Sequence, residues 1–281
     1  MALLAGVFAA PGGGGTADYT RPPKKMHSIT VHVAPPAKGV ALPPISGPKD
    51  PNLPLIVIDA GHGGHDPGAA NKAKGYKEKE VTLALALALK NRLLRSGRIR
   101  VALTRSDDRF LLLQERYDIA RRLGADLFIS LHADAAESDA AQGATIYTLS
   151  ETASDREAAR LAARENRVDI INGVNLASQD SAVNSILIDL SQREAMAQSA
   201  DFARLLYREA APYVPFRSNY HRFASLVVLK APDIPSVLFE AGYITSNKDV
   251  ERLTSAAGQR NVAEGVARAI EIYFARRAST P

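Results

Sequence analysis

Residues 55–68 read LIVIDAGHGGHDPG. The apolar run Leu55–Ile58 is a buried strand that stops at Asp59 and passes into a loop with glycines at 61, 63, 64 and 68. His62 therefore stands at the exit of a strand. Active sites of open α/β sheets gather outside the carboxyl ends of strands, and glycines there let the backbone lie close to an ion or substrate. A nucleotide-phosphate loop is the rival reading, but no Gly-Lys-Ser/Thr follows and the spacing is not GxGxxG.

Working outward, Glu78–Arg95 reads as a mostly buried helix, Arg100–Thr104 as a second strand and Leu111–Leu123 as an amphipathic helix. Asp126–Leu131 is a third buried strand, ending in His132, and Ala144–Leu149 alternates like a fourth. This alternation predicts an α/β fold, a single domain with its sheet flanked by helices. Residues 150–222 then break the pattern with helical stretches near Asp155–Asp169 and Ala182–Ala211, separated by INGVNLASQD, and read as a long helical insertion. Leu226–Leu229 and Ser236–Phe239 are the last strand signals, joined by a turn with two prolines, and a helix over Gln259–Arg277 closes the chain.

Length and composition bound the rest. The 281 residues hold one domain of about 200 residues plus appendages. Residues 1–51 have flexible Pro/Gly-rich composition, so the folded domain is expected over 52–281, starting near Asn52. Residues 1–15 are too short for a membrane span and lack the Lys/Arg start of a secretory signal; they read as the remnant of one or as a tail. Cysteine is absent, so any metal must use His and carboxylates. The net charge of +5 and pI near 9.4 come from scattered basic residues, and no nucleic-acid motif is present.

Three groups stand at ends of elements: His62, Glu78 and His132. A fourth, Glu240, follows the strand SVLF. Two neutral imidazoles and a carboxylate are a ligand set for catalytic zinc, and a second carboxylate beside them can take and return a proton. The bland reading is open for each of the first three, since a His after a strand is commonly a hydrogen-bonded loop residue and Glu78 suits the first turn of a helix dipole. Glu240 is harder to dismiss, because a carboxylate at the end of a sheet strand is costly to bury unless it is paired or used. His65 ranks below His132 as a ligand, and His27, His32 and His221 read as surface residues.

The chain resembles the zinc-dependent N-acetylmuramoyl-L-alanine amidases of the AmiA/AmiB/AmiC type, the amidase-3 family. The resemblance rests on IVIDAGHGGHDPGA, KEKEVTLALALAL, LTRSDDRFLLLQERYDIA, ADLFISLHADA, LVVLKAPDIPSVLFEAGYITS and VAEGVARAIEIYF, in order from about Leu55 to Phe274. It implies a mixed, twisted sheet of about six strands, with zinc held by His62, Glu78 and His132 and with Glu240 catalytic. Glu80 lies two residues on, but Glu78-Lys79 matches the motif's pair. The implied reaction is hydrolysis of the amide between N-acetylmuramic acid and the L-alanine of the peptidoglycan stem peptide, which would place the protein in the periplasm or cell envelope during daughter-cell separation.

In septum-splitting relatives a helix inserted at the equivalent place covers the active site until an activator with a LytM-like domain draws it away. Residues 154–167 resemble the start of that cover, and Glu165 is the candidate to occupy the metal's open position. Many members carry an N-terminal targeting domain; here a Pro/Gly-rich stretch precedes Asn52. The alternatives are a zinc peptidase or deacetylase acting on peptidoglycan, and a wall-binding protein without activity.

Overall fold

The computed structural model describes residues 39–136, 141–171 and 185–278. His27, His32 and most of the INGVNLASQD break lie outside these residues. In chain order the elements are β1 (Leu55–Ala60), β2 (Ala70–Asn71), β3 (Tyr76–Lys77), α1 (Glu78–Leu94), β4 (Arg100–Leu103), α2 (Leu113–Leu123), β5 (Leu127–His132) and β6 (Ala144–Leu149). They continue with α3 (Arg156–Glu165), α4 (Arg167–Ile171), α5 (Ser185–Ala210), β7 (Phe216–Ala224), a 3₁₀ turn (Val227–Leu229), β8 (Ser236–Glu240), α6 (Asn247–Thr254) and α7 (Ala256–Ala278).

Six strands form one mixed sheet in the order β4-β1-β5-β8-β6-β7, in which β4, β1, β5 and β8 are parallel, β6 runs antiparallel to β8, and β7 runs parallel to β6. A sheet covered on both faces needs strands that are apolar throughout, and every residue of β1, β5 and β8 is buried. Successive side chains of β1 go to opposite sides: Ile56 and Ile58 join the core against α1, α5 and α7, while Val57 faces α2, α3 and the 3₁₀ turn. The carboxyl ends of β1, β5 and β8 and the start of β6 therefore meet at one edge. All four candidate side chains come from elements that end or begin there.

Two readings of the sequence are corrected. Leu226–Leu229 is not a strand; Leu226 leads into a 3₁₀ turn packed on the second core. A short apolar run has no periodicity by which to choose between the two. Conversely, Phe216–Ala224, which starts within the 150–222 stretch read as a helical insertion, is the nine-residue edge strand β7. Its polar residues mask it, and two of them, Ser218 and Asn219, face solvent. His221 is accordingly a half-buried sheet residue, with Nε2 3.0 Å from Thr148 Oγ1. Ahead of Asn52, Ser46 pairs with Val101 and so extends the ordered chain beyond the expected start.

Candidate metal centre

The loop after β1 is held by two buried arginines. Arg116 of α2 donates from Nη1 to Asp59 Oδ1 and to the Ala60 carbonyl, each at 2.9 Å, and from Nη2 to the His62 carbonyl at 3.0 Å. Arg105 donates from Nε to the Ala60 carbonyl and from Nη2 to the Gly61 and Lys79 carbonyls, all at 2.8 Å. Burial and the neighbouring Arg116 charge lower the Arg105 pKa to about 10. These contacts satisfy loop carbonyls that the turn away from the sheet leaves without strand partners.

So braced, the backbone places His62 at φ 63°, a left-handed conformation rarely adopted by a side-chain-bearing residue. Strain of this kind persists where the surroundings over-determine it. Gly68 completes the fit, for a Cβ there would stand 2.6 Å from His62 Cδ2 and 2.7 Å from Glu78 Oε2.

The structure brings His62, Glu78, His132 and Glu165 together, all at least nine-tenths buried. His62 Nδ1 lies 2.7 Å from Asp66 Oδ2; with the proton on Nδ1, Nε2 presents its lone pair inward. That Nε2 is buried and has no hydrogen-bond partner. Glu78 lies between the imidazoles, with Oε2 3.2 Å from His62 Nε2 and Oε1 3.2 Å from His132 Nδ1. The Ala69 and Ala133 amides each donate to Glu78 at 2.8 Å, so its carboxylate is fixed from both sides.

Glu165 arrives from the end of α3. Its Oε2 is 3.7 Å from His62 Nε2 and 3.5 Å from His132 Nδ1. One ligand atom each from His62, His132 and Glu165 lie within 4.8 Å of one another. Glu240 ends β8, directly across from His132 in the register. Its Oε2 accepts the Asp134 amide at 3.0 Å, while Oε1 is buried without a partner.

The donor set fits a divalent cation. Buried carboxylates need compensation, and Glu78, Glu165, Glu240 and Asp134 crowd one site where Arg164, which pairs with Asp134, is the nearby cation among the described residues. His62 shows the same demand, for burial would lower its pKa, yet Glu78 and Glu165 raise it well above the ordinary imidazole value. Burial followed by the charges of Asp134, Glu78 and Glu165 drives Glu240 strongly upward. Inward-facing nitrogen lone pairs beside carboxylate oxygens are the ligands zinc takes. His65, by contrast, is exposed and its ring lies tilted against that of Phe110, 4.3 Å between centroids.

Residues 56–272 match the family model Amidase_3, N-acetylmuramoyl-L-alanine amidase. The chain belongs to this family. The amidase is 37% identical over 221 residues to N-acetylmuramoyl-L-alanine amidase AmiA of Escherichia coli K12, a match covering 78% of this chain and 76% of that protein. It is 36% identical over 242 residues to AmiC of Escherichia coli O6:H1, covering 86% of this chain and 57% of that one. Among solved structures it resembles the catalytic domain of CwlV, an N-acetylmuramoyl-L-alanine amidase from Bacillus (Paenibacillus) polymyxa var. colistinus. That match has a TM-score of 0.58 and 29% identity, covering 79% of this chain and 98% of that domain.

The residues that brace the amidase's site and that the sequence reading passed over are Asp59, Asp66, Arg105, Arg116 and Asp134. All five lie inside the stretches that carry the family resemblance; the available signals are a charge directly after an apolar strand for Asp59 and Arg105 and a charge within an amphipathic helix for Arg116.

Proposed function

We propose that this N-acetylmuramoyl-L-alanine amidase works on peptidoglycan as a zinc hydrolase, with His62, Glu78 and His132 holding the metal and Glu240 moving the proton. The observation that carries the reading is the convergence of two inward-facing imidazoles on Glu78, with an unpartnered Glu240 oxygen one strand away. Bound zinc would supply Lewis-acid chemistry, polarising an amide carbonyl and making water more acidic.

The chain's own groups do the rest. Asp66 fixes the His62 tautomer, and the Ala69 and Ala133 amides fix the Glu78 carboxylate. Glu240 Oε1 accepts a proton from the attacking water as the new C–O bond forms, then returns it to the nitrogen of L-alanine as the lactyl C–N bond breaks. Its raised proton affinity suits a group that must hold a proton between the two events. The Asp134 amide anchors the opposite oxygen, so the shuttling one stays aimed inward.

Glu165 gives the protein a resting state. Its carboxylate stands where a substrate carbonyl would have to approach the two imidazoles, and α3 carries it there on a buried face of Ala158, Leu161 and Ala162. Displacement of α3 by an activator with a LytM-like domain in the cell envelope would open the site for daughter-cell separation.

The test compares the zinc-loaded full chain with its Glu165→Ala variant on purified peptidoglycan and weighs the released products. Intact stem peptides beginning at L-alanine, released faster by the variant, support the whole reading. Cuts within the peptide, or deacetylated glycan, overturn the bond assignment; equal rates overturn the cover.

A further inference from the structure

Helix α3 carries a second carboxylate into the molecule besides Glu165. Glu157, in its first turn, is seated on two guanidinium groups and a phenol. Arg222 Nη1 is 2.9 Å from Glu157 Oε2, Arg217 donates to Glu157 Oε1, and Tyr243 OH lies 3.3 Å from that same oxygen. Arg217 Nη1 also donates to Tyr243 OH at 2.6 Å, and Arg222 joins this pair through the shared Glu157 carboxylate, so that the three groups form one cradle. The Arg222 side chain is only 6% exposed.

A guanidinium so deeply buried needs an anion. Arg222 has Asp155 at 2.9 Å as well as Glu157, and both belong to the start of α3. Any movement of α3 that frees the metal centre removes these partners together. The exposed charge must then be met by another anion or by water.

The place of the cradle says which anion. Arg217 stands at the start of β7 and Tyr243 three residues beyond Glu240, on the sheet edge that bears the metal centre. A cavity of about 510 Å³ opens beside Arg217, lined among others by Phe216, Lys248 and the Arg252–Asp249 ion pair, so that its wall carries more basic than acidic groups. Glu157 and Glu165 are eight residues apart on one helix, about 12 Å at 1.5 Å per residue. An extended peptide covers that distance in three to four residues at about 3.3–3.6 Å each.

We infer that the Arg217–Arg222–Tyr243 cradle is a binding subsite for a carboxylate of the stem peptide, borne some three or four residues from the scissile amide. Glu157 fills it as a stand-in while the cover is closed. The inference rests on the amidase reading above. The cover then blocks both ends of the substrate's path, and its two carboxylates occupy the places of reacting group and distal acid. Two guanidiniums and a phenol select a carboxylate over a carboxamide, because charge-assisted bonds are lost when the acceptor is neutral.

The test is binding of two synthetic tetrapeptides to the full-length chain by calorimetry. One begins L-Ala-D-Glu, bears a side-chain carboxylate at its third residue and ends in a free carboxylate; the other is the same peptide with carboxamides in place of the carboxylates of its third and fourth residues. Glu157→Ala is expected to tighten binding of the acidic peptide at least tenfold over the parent and to leave the carboxamide peptide unchanged. Adding Arg217→Met should abolish that gain, and Tyr243→Phe, which removes a single hydroxyl, should reduce it even if the arginine variant melts too early to use. Equal binding of the acidic peptide to parent and Glu157→Ala, an equal gain for both peptides, or a gain indifferent to Arg217 and Tyr243 would overturn the subsite. Because the readout is binding, absence of stem-peptide release from peptidoglycan by Glu165→Ala would count against the amidase mechanism alone.

Discussion

Arg116 and Asp59 form a buried ion pair, Nη1 to Oδ1 at 2.9 Å, with side-chain exposures of 2% and 0%. Asp59 also accepts Thr104 Oγ1 at 2.6 Å and Ser130 Oγ at 2.7 Å, so one carboxylate joins β1, β5, the end of β4 and α2 just below the His62 loop. Burial alone would raise the Asp59 pKa; Arg116 and the two hydroxyls outweigh it and hold the group below its usual value. Removing one partner of such a pair strands the other charge, at a typical cost of about 3–5 kcal/mol. Arg116→Met is therefore expected to lower unfolding free energy by about that much, measured by urea titration. A loss below about 1 kcal/mol, the scale of an exposed pair, would show that the pair is not what holds the loop.

Asp66 touches the candidate metal centre only through His62. Carboxylates in this position fix the tautomer and ring orientation of a metal-binding histidine, and their loss typically weakens metal affinity about 10–100-fold. Asp66→Ala should show that drop in a competition titration against a zinc-binding dye, with thermal stability of the metal-free chain little changed. Undiminished affinity would mean that Asp66 merely caps a loop, a role its 3.1 Å bond from the Gly68 amide also allows.

The same contrast explains what could be read in advance. β1, β5 and β8 are legible because a strand buried on both faces must be apolar along its whole length, and His132 and Glu240 stand out as the polar residues on which two of them end. His62 is legible through its glycines. β7 is not, since an edge strand next to α3 alternates between burying Arg222 and exposing Phe223, which inverts the usual rule. Arg105 and Arg116 look like surface charges in a linear sequence; only the turn of the chain over β1 brings carbonyls and Asp59 to them. The closeness of Glu165 to the histidines depends on how α3 docks, which no local pattern encodes.

His221 offers a stability measurement away from the candidate metal centre. Burial, and then the charge of Arg204, lowers its pKa from the ordinary 6.5. The folded chain thus favours the neutral ring, and the unfolded chain binds more protons in the window between the two pKa values. Stability from this group is complete above pH 6.5 and is lost as pH falls through the folded value. His221→Gln, which keeps a polar partner for Thr148, should flatten the dependence of unfolding free energy on pH below 6.5. An unchanged slope would show that His221 takes up its proton equally in both states.

Glu240 should trade activity against stability. Its carboxylate is fully buried, one oxygen has no partner, and burial followed by three nearby carboxylates pushes its pKa upward. Each of these marks a group that folding alone would not select. Glu240→Gln retains the shape and the oxygen that accepts the Asp134 amide but can no longer carry a proton. Amide hydrolysis should fall about 10²–10⁴-fold, the range for loss of a general acid–base. Zinc content should stay at the parental level, because Glu240 is not among the assigned ligands. Melting temperature, measured on the metal-free chain, should hold or rise, because the neutral amide removes a carboxyl whose ionisation burial, Asp134 and Glu78 all oppose. Loss of zinc together with activity would recast Glu240 as a ligand, and full activity would move the proton transfer to another group at the same edge, such as Asp134, whose backbone amide Glu240 accepts.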